Sequence, residues 1–514
     1  MWPGRDGPLP GSFGPSSDKA LCVRRLSFQD VPMESPPPSP GPDRQVAERR
    51  ALAINLDGSV YGTFAEIGAG QEVVRHFFKA GGASGTVAKS MSAYDMHISD
   101  AIYGHPRRYV SRERLGQMLA HEYALLVDRL APERGATTRF FVLADTVATT
   151  PRDGRGQGHC WLGLRFQHVP GAAPSEIHLH LRLWDAVAAR QQDALGLVGV
   201  NLLHAALNDR ATVDGFLRSL LEGVGPDRVE VDWFHAEGPA LAHVDPAHAA
   251  VRLVRLGLTD AVLFGPSGKP EVPGEAFHHR DILVARGSLR PVSLVNLDMV
   301  GRGAKAAGGD PLRLLEISLR DDPGTEAELV ARARLVNELG LPCLLTAYRG
   351  YYRLPAYFRR HTDGAVTLVA GINNLVEILN TENYSRLEGG LLEALGRLFK
   401  GGVRLLVYPM AGAQLNRLYA DPVARRVCFP EGEPVPEDQV VTLGSLRLRH
   451  EVTCLLQHLV ATRALEALPD ASPAALACQP RTLVARIRAG EAGWERELDP
   501  RTAASLRRLG LWVA

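Results

Sequence analysis

Residues 313–348 read RLLEISLRDDPGTEAELVARARLVNELGLPCLLTAY. Two short apolar runs, RLLEISL and PCLLTAY, flank an amphipathic stretch over 325–339. An apolar strand, a helix and a second apolar strand make a right-handed crossover unit, whose strands lie parallel and are covered on both faces. The same alternation extends both ways. RVEVDWF, DAVLFG, DILVARG, SLVNLDMV, AVTLVAG and VRLLVYPM read as further strands. Helices fall near 246–257, 351–360, 373–380 and 388–399. The pattern predicts an α/β fold with a largely parallel, doubly wound sheet, in which ligands sit beyond the carboxyl ends of the strands.

Working outward, the N-terminal part reads as mixed α+β. A strand over 60–67 runs through a glycine turn into a helix. Ser111 stands as N-cap of a helix with Leu115, Leu119, Leu126 and Leu130 on one stripe. RFFVLADTVATT reads as a buried strand. GHCWLGLRFQHV and EIHLHLRLWD alternate with period two and form a hairpin, followed by a helix from about 186 to 207. After Met410 the chain turns mainly helical. Residues 1–45, with MESPPPSPGPD, are too rich in Pro, Gly and Ser to build a core and read as a disordered tail, in which Met33 is an alternative start to Met1. The expected parts are 1–45 (tail), 46–210 (α/β with the hairpin), 211–412 (Rossmann-like) and 413–514 (helical).

Composition narrows the function classes. The 514 residues carry a net charge of +1, with 45% hydrophobic and 22% charged residues. That balance points to no nucleic acid and no acidic membrane as partner. There is no apolar run of the ~18 residues a membrane helix needs, and no export signal. Six scattered cysteines form no CxxC or zinc-finger spacing, which suits a reducing, cytoplasmic setting.

The turn YGTFAEIGAGQ (61–71) has three readings. As a glycine loop before a helix, Gly68 and Gly70 suit an S-adenosylmethionine-dependent methyltransferase, with Glu72 at the usual third glycine and Asp95 as a distant ribose acid. Downstream, GGASGTVAKS has the outline of a P-loop ending in Lys89 and Ser90, with Ala83 and Ala88 where glycines are needed. Thirdly, Gly62, Thr63, Phe64 and Gly70 resemble the nucleotide-binding motif GTFxPxHxGH of nicotinate-nucleotide adenylyltransferases. Its two histidines fall on Gly68 and Gln71. The segment RIRAGEAGWERELDPRTAASLRRLGLW resembles the closing segment of those enzymes through Arg486, Ile487, Gly490, Leu498, Pro500, Leu506, Gly510 and Leu511. Their ISSTxxR phosphate motif corresponds to CQPRTLV, with Gln479 and Pro480 at the serines and Val484 at the arginine. From about residue 52 onward the chain also resembles uncharacterised bacterial proteins carrying that adenylyltransferase label, or a TonB-dependent receptor label that the helix–strand alternation contradicts.

Three more stretches could carry chemistry. EIHLHLRLWD puts His178, His180 and Arg182 on one strand face. They read as a polar or solvent-exposed sheet face, as a metal site completed by His159, or as a phosphate or carboxylate site with Arg182 and Arg165. In LFGPSGKP, Gly265, Ser267, Gly268 and Lys269 follow a strand and either bind a phosphate or simply turn. In AYRGYYRLPAYFRR, Tyr348, Arg349, Tyr351, Tyr352 and Arg353 either hold a base and its phosphates or seal helix against sheet.

The expected function is nucleotide-linked. The resemblance implies adenylyl transfer from ATP to a mononucleotide with Mg2+, weakened by the lost histidines. A catalytically inactive ligand-binding or self-assembling protein is the alternative, and a methyltransferase the second. The nucleotide-binding candidates are Gly62, Thr63, Phe64, Gly68, Gly70, Lys89, Gly265, Ser267, Gly268, Lys269, Tyr348 and Arg349. No catalytic or metal residue is named. A small-molecule nucleotide is the partner, and homo-oligomerisation is left open.

Overall fold

A computed structural model describes residues 42–151, 156–320, 324–420 and 434–512. The tail expected over 1–45 lies outside these residues, save that α1 (Pro42–Asn55) begins at Pro42. The alternative starts Met1 and Met33 lie outside them too.

The first sheet has six strands: β1 (Val60–Ile67), β2 (Val87–Ser92), β3 (Arg139–Ala148), β4 (Gly158–Phe166), β5 (Ser175–Leu183) and β6 (Val229–Glu237). Their order is β2-β1-β3-β4-β5-β6; β1 runs parallel to β2 and β3, and the rest is antiparallel. Helix α2 (Glu72–Ala80) follows β1, and α3 (Met96–Tyr103) follows β2. Helix α4 (Arg112–Arg134) begins at Ser111, whose side chain accepts from the Arg114 N–H. It lays Leu115, Leu119 and Leu126 against one sheet face. Helix α5 (Ala188–Asn208) covers the other face with α1 and α2.

The second sheet takes β7 (Ala261–Phe264), β8 (Pro270–Glu271), β9 (Ile282–Arg286), β10 (Leu312–Ser318), β11 (Cys343–Thr346), β12 (Val366–Gly371) and β13 (Arg404–Tyr408). The short pair β14 (Met410–Ala411) and β15 (Val440–Val441) stands apart, and β16 (Leu465–Ala467) completes the large sheet. Its order is β16-β13-β12-β9-β10-β11-β7-β8. From β16 to β11 all neighbours are parallel; β7 and β8 join antiparallel at one edge. The chain winds outward from β9 through β10 to β11, then crosses back to β12 on the other side of β9. This is the doubly wound arrangement, with its switch point between β9 and β12. Among the helices, α6 (Val213–Leu220), α7 (Pro246–Arg255), α8 (Pro273–Ala276), α9 (Leu294–Ala307), α10 (Glu326–Asn337), α11 (Leu354–Arg359), α12 (Ile372–Leu379) and α13 (Gly390–Leu398) precede the C-terminal segment. That segment is largely helical: α14 (Gly412–Tyr419), α15 (His450–Ala461), α16 (Pro473–Ala477), α17 (Pro480–Arg488) and α18 (Pro500–Leu509).

Two local expectations fail. SLVNLDMV is the start of α9, not a strand. Ser293 and Asn296 form a reciprocal capping box, and Met299, Val300 and Gly303 face the sheet at helical spacing. The apolar run alone fits either period; the cap decides. The polar face of β5 is not solvent-facing either. His178, His180 and Arg182 are buried, covered in part by the segment after β8, where Gly274 lies against the Arg182 guanidinium.

Candidate functional site

The carboxyl ends of β9, β10, β11 and β12 open into a cleft of about 1530 Å³. Each contributes through its own loop: Arg286 ends β9, Ser318 and Arg320 end β10, Arg349 follows β11, and Asn374 lies in the first turn of α12. The floor is one buried pair. Arg286 Nε and Nη2 donate to the two carboxylate oxygens of Glu316, and Thr346 Oγ1 donates to the same carboxylate. Arg286 Nη1 also donates to the Arg349 carbonyl at 2.9 Å, and its guanidinium lies 4.6 Å from the Tyr351 ring centre. Ser318 Oγ holds the Tyr348 carbonyl at 2.7 Å. The loop after β11 is thus tied to β9 and β10, and its Arg349, Tyr352 and Arg353 line the opening.

Among the described residues the lining carries eight arginines against two glutamates, Glu377 and Glu382. Arg286 and Arg290 are engaged with Glu316 and Glu328. Arg320, Arg349, Arg353, Arg386, Arg481 and Arg488 make no ion pair among the described residues. Aromatic rings stand among them. Tyr352 packs edge-to-face on Tyr384 at 5.9 Å, and Trp512 adds an indole. Guanidiniums pair phosphates in bidentate fashion, and rings stack on bases. No His, Cys, Asp or Lys lines the cleft among the described residues.

The twelve residues expected from sequence fall in separate places. Arg349 lines the cleft, while Tyr348 beside it is buried and donates its hydroxyl to Asp260 at 3.0 Å. Gly265, Ser267, Gly268 and Lys269 form the turn between β7 and β8, closed by Gly265 N–H to the Lys269 carbonyl and Gly268 N–H to the Gly265 carbonyl. Since β7 runs antiparallel to β11 and Phe264 stands opposite Cys343, this turn lies at the opposite rim of the sheet from the cleft.

The other six lie in the first sheet. Thr63 and Phe64 are buried in β1, and a Cβ at Gly62 would meet the Phe141 ring and carbonyl. Lys89 lies mid-strand in β2, without the helix a P-loop needs, and pairs with the buried Glu122, which also accepts from Tyr103 at 2.9 Å. Asp95 caps α3. Gly68 has φ +90 and faces the Val147 carbonyl, so only glycine fits without strain. At Gly70 a Cβ would stand 2.0 Å from Asp145 Oδ1. Its bare backbone therefore makes room for a carboxylate.

Glu66 and Asp145 are register partners across β1 and β3, both fully buried. Glu66 Oε1 and both Asp145 oxygens lack a hydrogen-bond partner among the described residues. Burial, then the charge of Glu72, pushes the Glu66 carboxyl up to about 7; burial, then Glu66, drives Asp145 well above its ordinary range. A phosphate at this turn would meet two acids.

The histidine face of β5 forms a chain. Asp232 accepts from His180 Nδ1 at 2.5 Å and from Arg182 Nε at 2.9 Å; His180 Nε2 lies 3.4 Å from His159 Nδ1. Arg182 Nη2 reaches His361 Nδ1 at 2.7 Å, joining the two sheets. Burial raises the Asp232 carboxyl, but the His180 and Arg182 charges outweigh it and hold it at about 2. Burial and the neighbouring cations take His159 down to about 4. No cluster of three or more His, Cys, Asp or Glu suited to a metal occurs among the described residues.

The cleft arginines outside the loop after β11 escaped the sequence reading, although a signal exists. LVAR, ISLR and TAYR each carry an arginine at or just past the carboxyl end of a strand. Arg481 and Arg488 carry no such mark, because only folding brings α17 to the strand ends.

No known family matches the chain by sequence, and no curated protein does. Among solved structures, a third of the chain is similar to several small proteins, three of which follow. The competence/damage-inducible protein CihA from Agrobacterium tumefaciens is 17% identical, with TM-score 0.24 over 32% of this chain and 96% of that one. A competence or damage-inducible protein from Enterobacter asburiae is 13% identical, with TM-score 0.22 over 32% and 98%. A competence-damaged protein (CinA) superfamily protein from Enterobacter cloacae is also 13% identical, with TM-score 0.22 over 32% and 90%. At these values the likeness assigns no activity to this chain.

Proposed function

We propose that the chain binds a phosphorylated nucleotide in the cleft at the strand ends of the second sheet. The observation that carries this is the set of six arginines without ion-pair partners among the described residues, gathered with tyrosines at the switch point of a doubly wound sheet. In this reading Arg349 and Arg353 pair with phosphate, Tyr352 stacks on the base, and Arg286 positions the loop that bears them. The resemblance to nicotinate-nucleotide adenylyltransferases extends the reading to adenylyl transfer from ATP to a mononucleotide, the guanidiniums offsetting charge as it develops on the migrating phosphoryl group. Magnesium bound to the ATP phosphates would supply further charge neutralisation.

One observation favours a second reading, ligand binding with little or no turnover. Among the described residues the lining holds no histidine, the commonest general acid or base, and Glu377 and Glu382 are its only carboxylates. Calorimetric titration with ATP and with nicotinate mononucleotide tests the binding common to both readings. Binding lost in Arg349→Ala supports it; wild-type protein that takes neither ligand overturns it.

A further inference from the structure

The cleft has arginines from two unrelated parts of the chain. Arg320, Arg349 and Arg353 come from the loops after β10 and β11. Arg481 and Arg488 come from α17, more than a hundred residues later, and share one helix face with Val484. The flank of α17 next to that face buries Leu483 and Ile487 in the main core, which fixes the helix and the direction of its arginines.

One phosphate dianion is satisfied by two or three guanidiniums in bidentate geometry. The six arginines without an ion pair among the described residues exceed that need, and like charges crowded in a cleft repel unless a ligand neutralises them. The cleft is also larger than the ~300–1,000 Å³ usual for one drug-sized ligand. The same cleft is lined by Tyr352, Tyr384 and Asn374, whose side chain makes no hydrogen bond among the described residues. These groups suit an aromatic base.

We infer that the ligand is a nucleoside phosphorylated at both ends of its ribose, one phosphate held at the strand ends by Arg349 and Arg353 and the other against α17 by Arg481 and Arg488. The inference rests on the nucleotide reading above and adds the second phosphate and the residues that select for it. Arg481 and Arg488 are then specificity residues that distinguish a bisphosphate from a monophosphate.

Titration calorimetry on the full chain tests this with four probes: AMP, adenosine 3′,5′-bisphosphate, ATP and inorganic tripolyphosphate. The bisphosphate is expected to bind about 10- to 100-fold tighter than AMP, the worth of one set of charge-assisted hydrogen bonds. In R481Q/R488Q the bisphosphate should fall to the affinity of AMP, while AMP itself stays within about twofold. R481K/R488K keeps the charge and should restore part of the difference, which separates lost recognition from lost folding. Equal binding of AMP and bisphosphate by the wild type overturns the inference and leaves the nucleotide reading standing. ATP binding tighter than the bisphosphate overturns it in favour of a linear phosphate chain, and tripolyphosphate matching the bisphosphate overturns the role of the base. Binding of none of the four overturns the nucleotide reading itself.

Discussion

Arg286 at the end of β9 grips Glu316 on β10 through two guanidinium nitrogens, with Nε 2.5 Å from Oε2 and Nη2 3.0 Å from Oε1, both side chains out of solvent. Glu316 also accepts from Thr346 on β11, so three adjacent strand ends meet on one carboxylate. The loop bearing Arg349 hangs from this pair through the Arg349 carbonyl.

Breaking the pair from one side leaves a buried charge. Glu316→Ala is expected to lower stability by about 3–5 kcal/mol, and R286M/E316L to recover much of that loss. Urea denaturation of the three proteins measures it. A single-variant loss below about 1 kcal/mol, the range of an exposed pair, would show that the pair does not order the strand ends.

Gly70 and Asp145 compete for the same space. Gly70→Ala places a methyl where Asp145 Oδ1 stands and should cost about 1–3 kcal/mol. The double variant G70A/D145A removes the obstacle and should be more stable than G70A alone. Thermal unfolding of the cycle reads the coupling; simple additivity would contradict the contact.

The acid pair makes stability depend on pH. Burial and like charge raise both Glu66 and Asp145, Glu66 to about 7. The folded state therefore keeps protons that the unfolded chain releases. The stabilisation is full below the ordinary carboxylate value of 4.5 and is lost as pH rises through about 7. Melting temperature should fall between pH 5 and 9, and Asp145→Asn should flatten the profile by removing one of the two charges. An unchanged slope in Asp145→Asn would place the pH dependence elsewhere.

Adenylyl transfer should be slow or absent. Among the described residues the cleft lining holds no histidine to steady the migrating phosphoryl group, and each missing preorganised donor typically costs about 10²–10³-fold. Incubation with ATP, magnesium and nicotinate mononucleotide is expected to give turnover far below the ordinary ~1–10³ per second. Dinucleotide formed within that range, and abolished by Arg349→Ala, would instead establish an enzyme.

The doubly wound sheet was legible in 313–348 because a strand that is buried on both faces must be apolar throughout, and the helix between two such strands must be amphipathic. The hairpin of β4 and β5 was legible for the same reason of period, and the Ser111 cap from residue type alone. Residue type also brought out the tyrosine–arginine loop after β11, since few other groups stack and pair at once. SLVNLDMV was ambiguous because its apolar spacing fits both periods, and β16 was too short to have a period. What only tertiary structure decided is direction and proximity. Whether LFGPSGKP faces the cleft depends on β7 running antiparallel, which no local pattern encodes. Whether Gly70 receives a phosphate or a carboxylate depends on Asp145, more than seventy residues away. Arg481 lines the same cleft as Arg349 because Leu483 and Ile487 anchor its helix in the core. Local sequence sets which face of an element is apolar; the packing of those faces sets which charged groups meet.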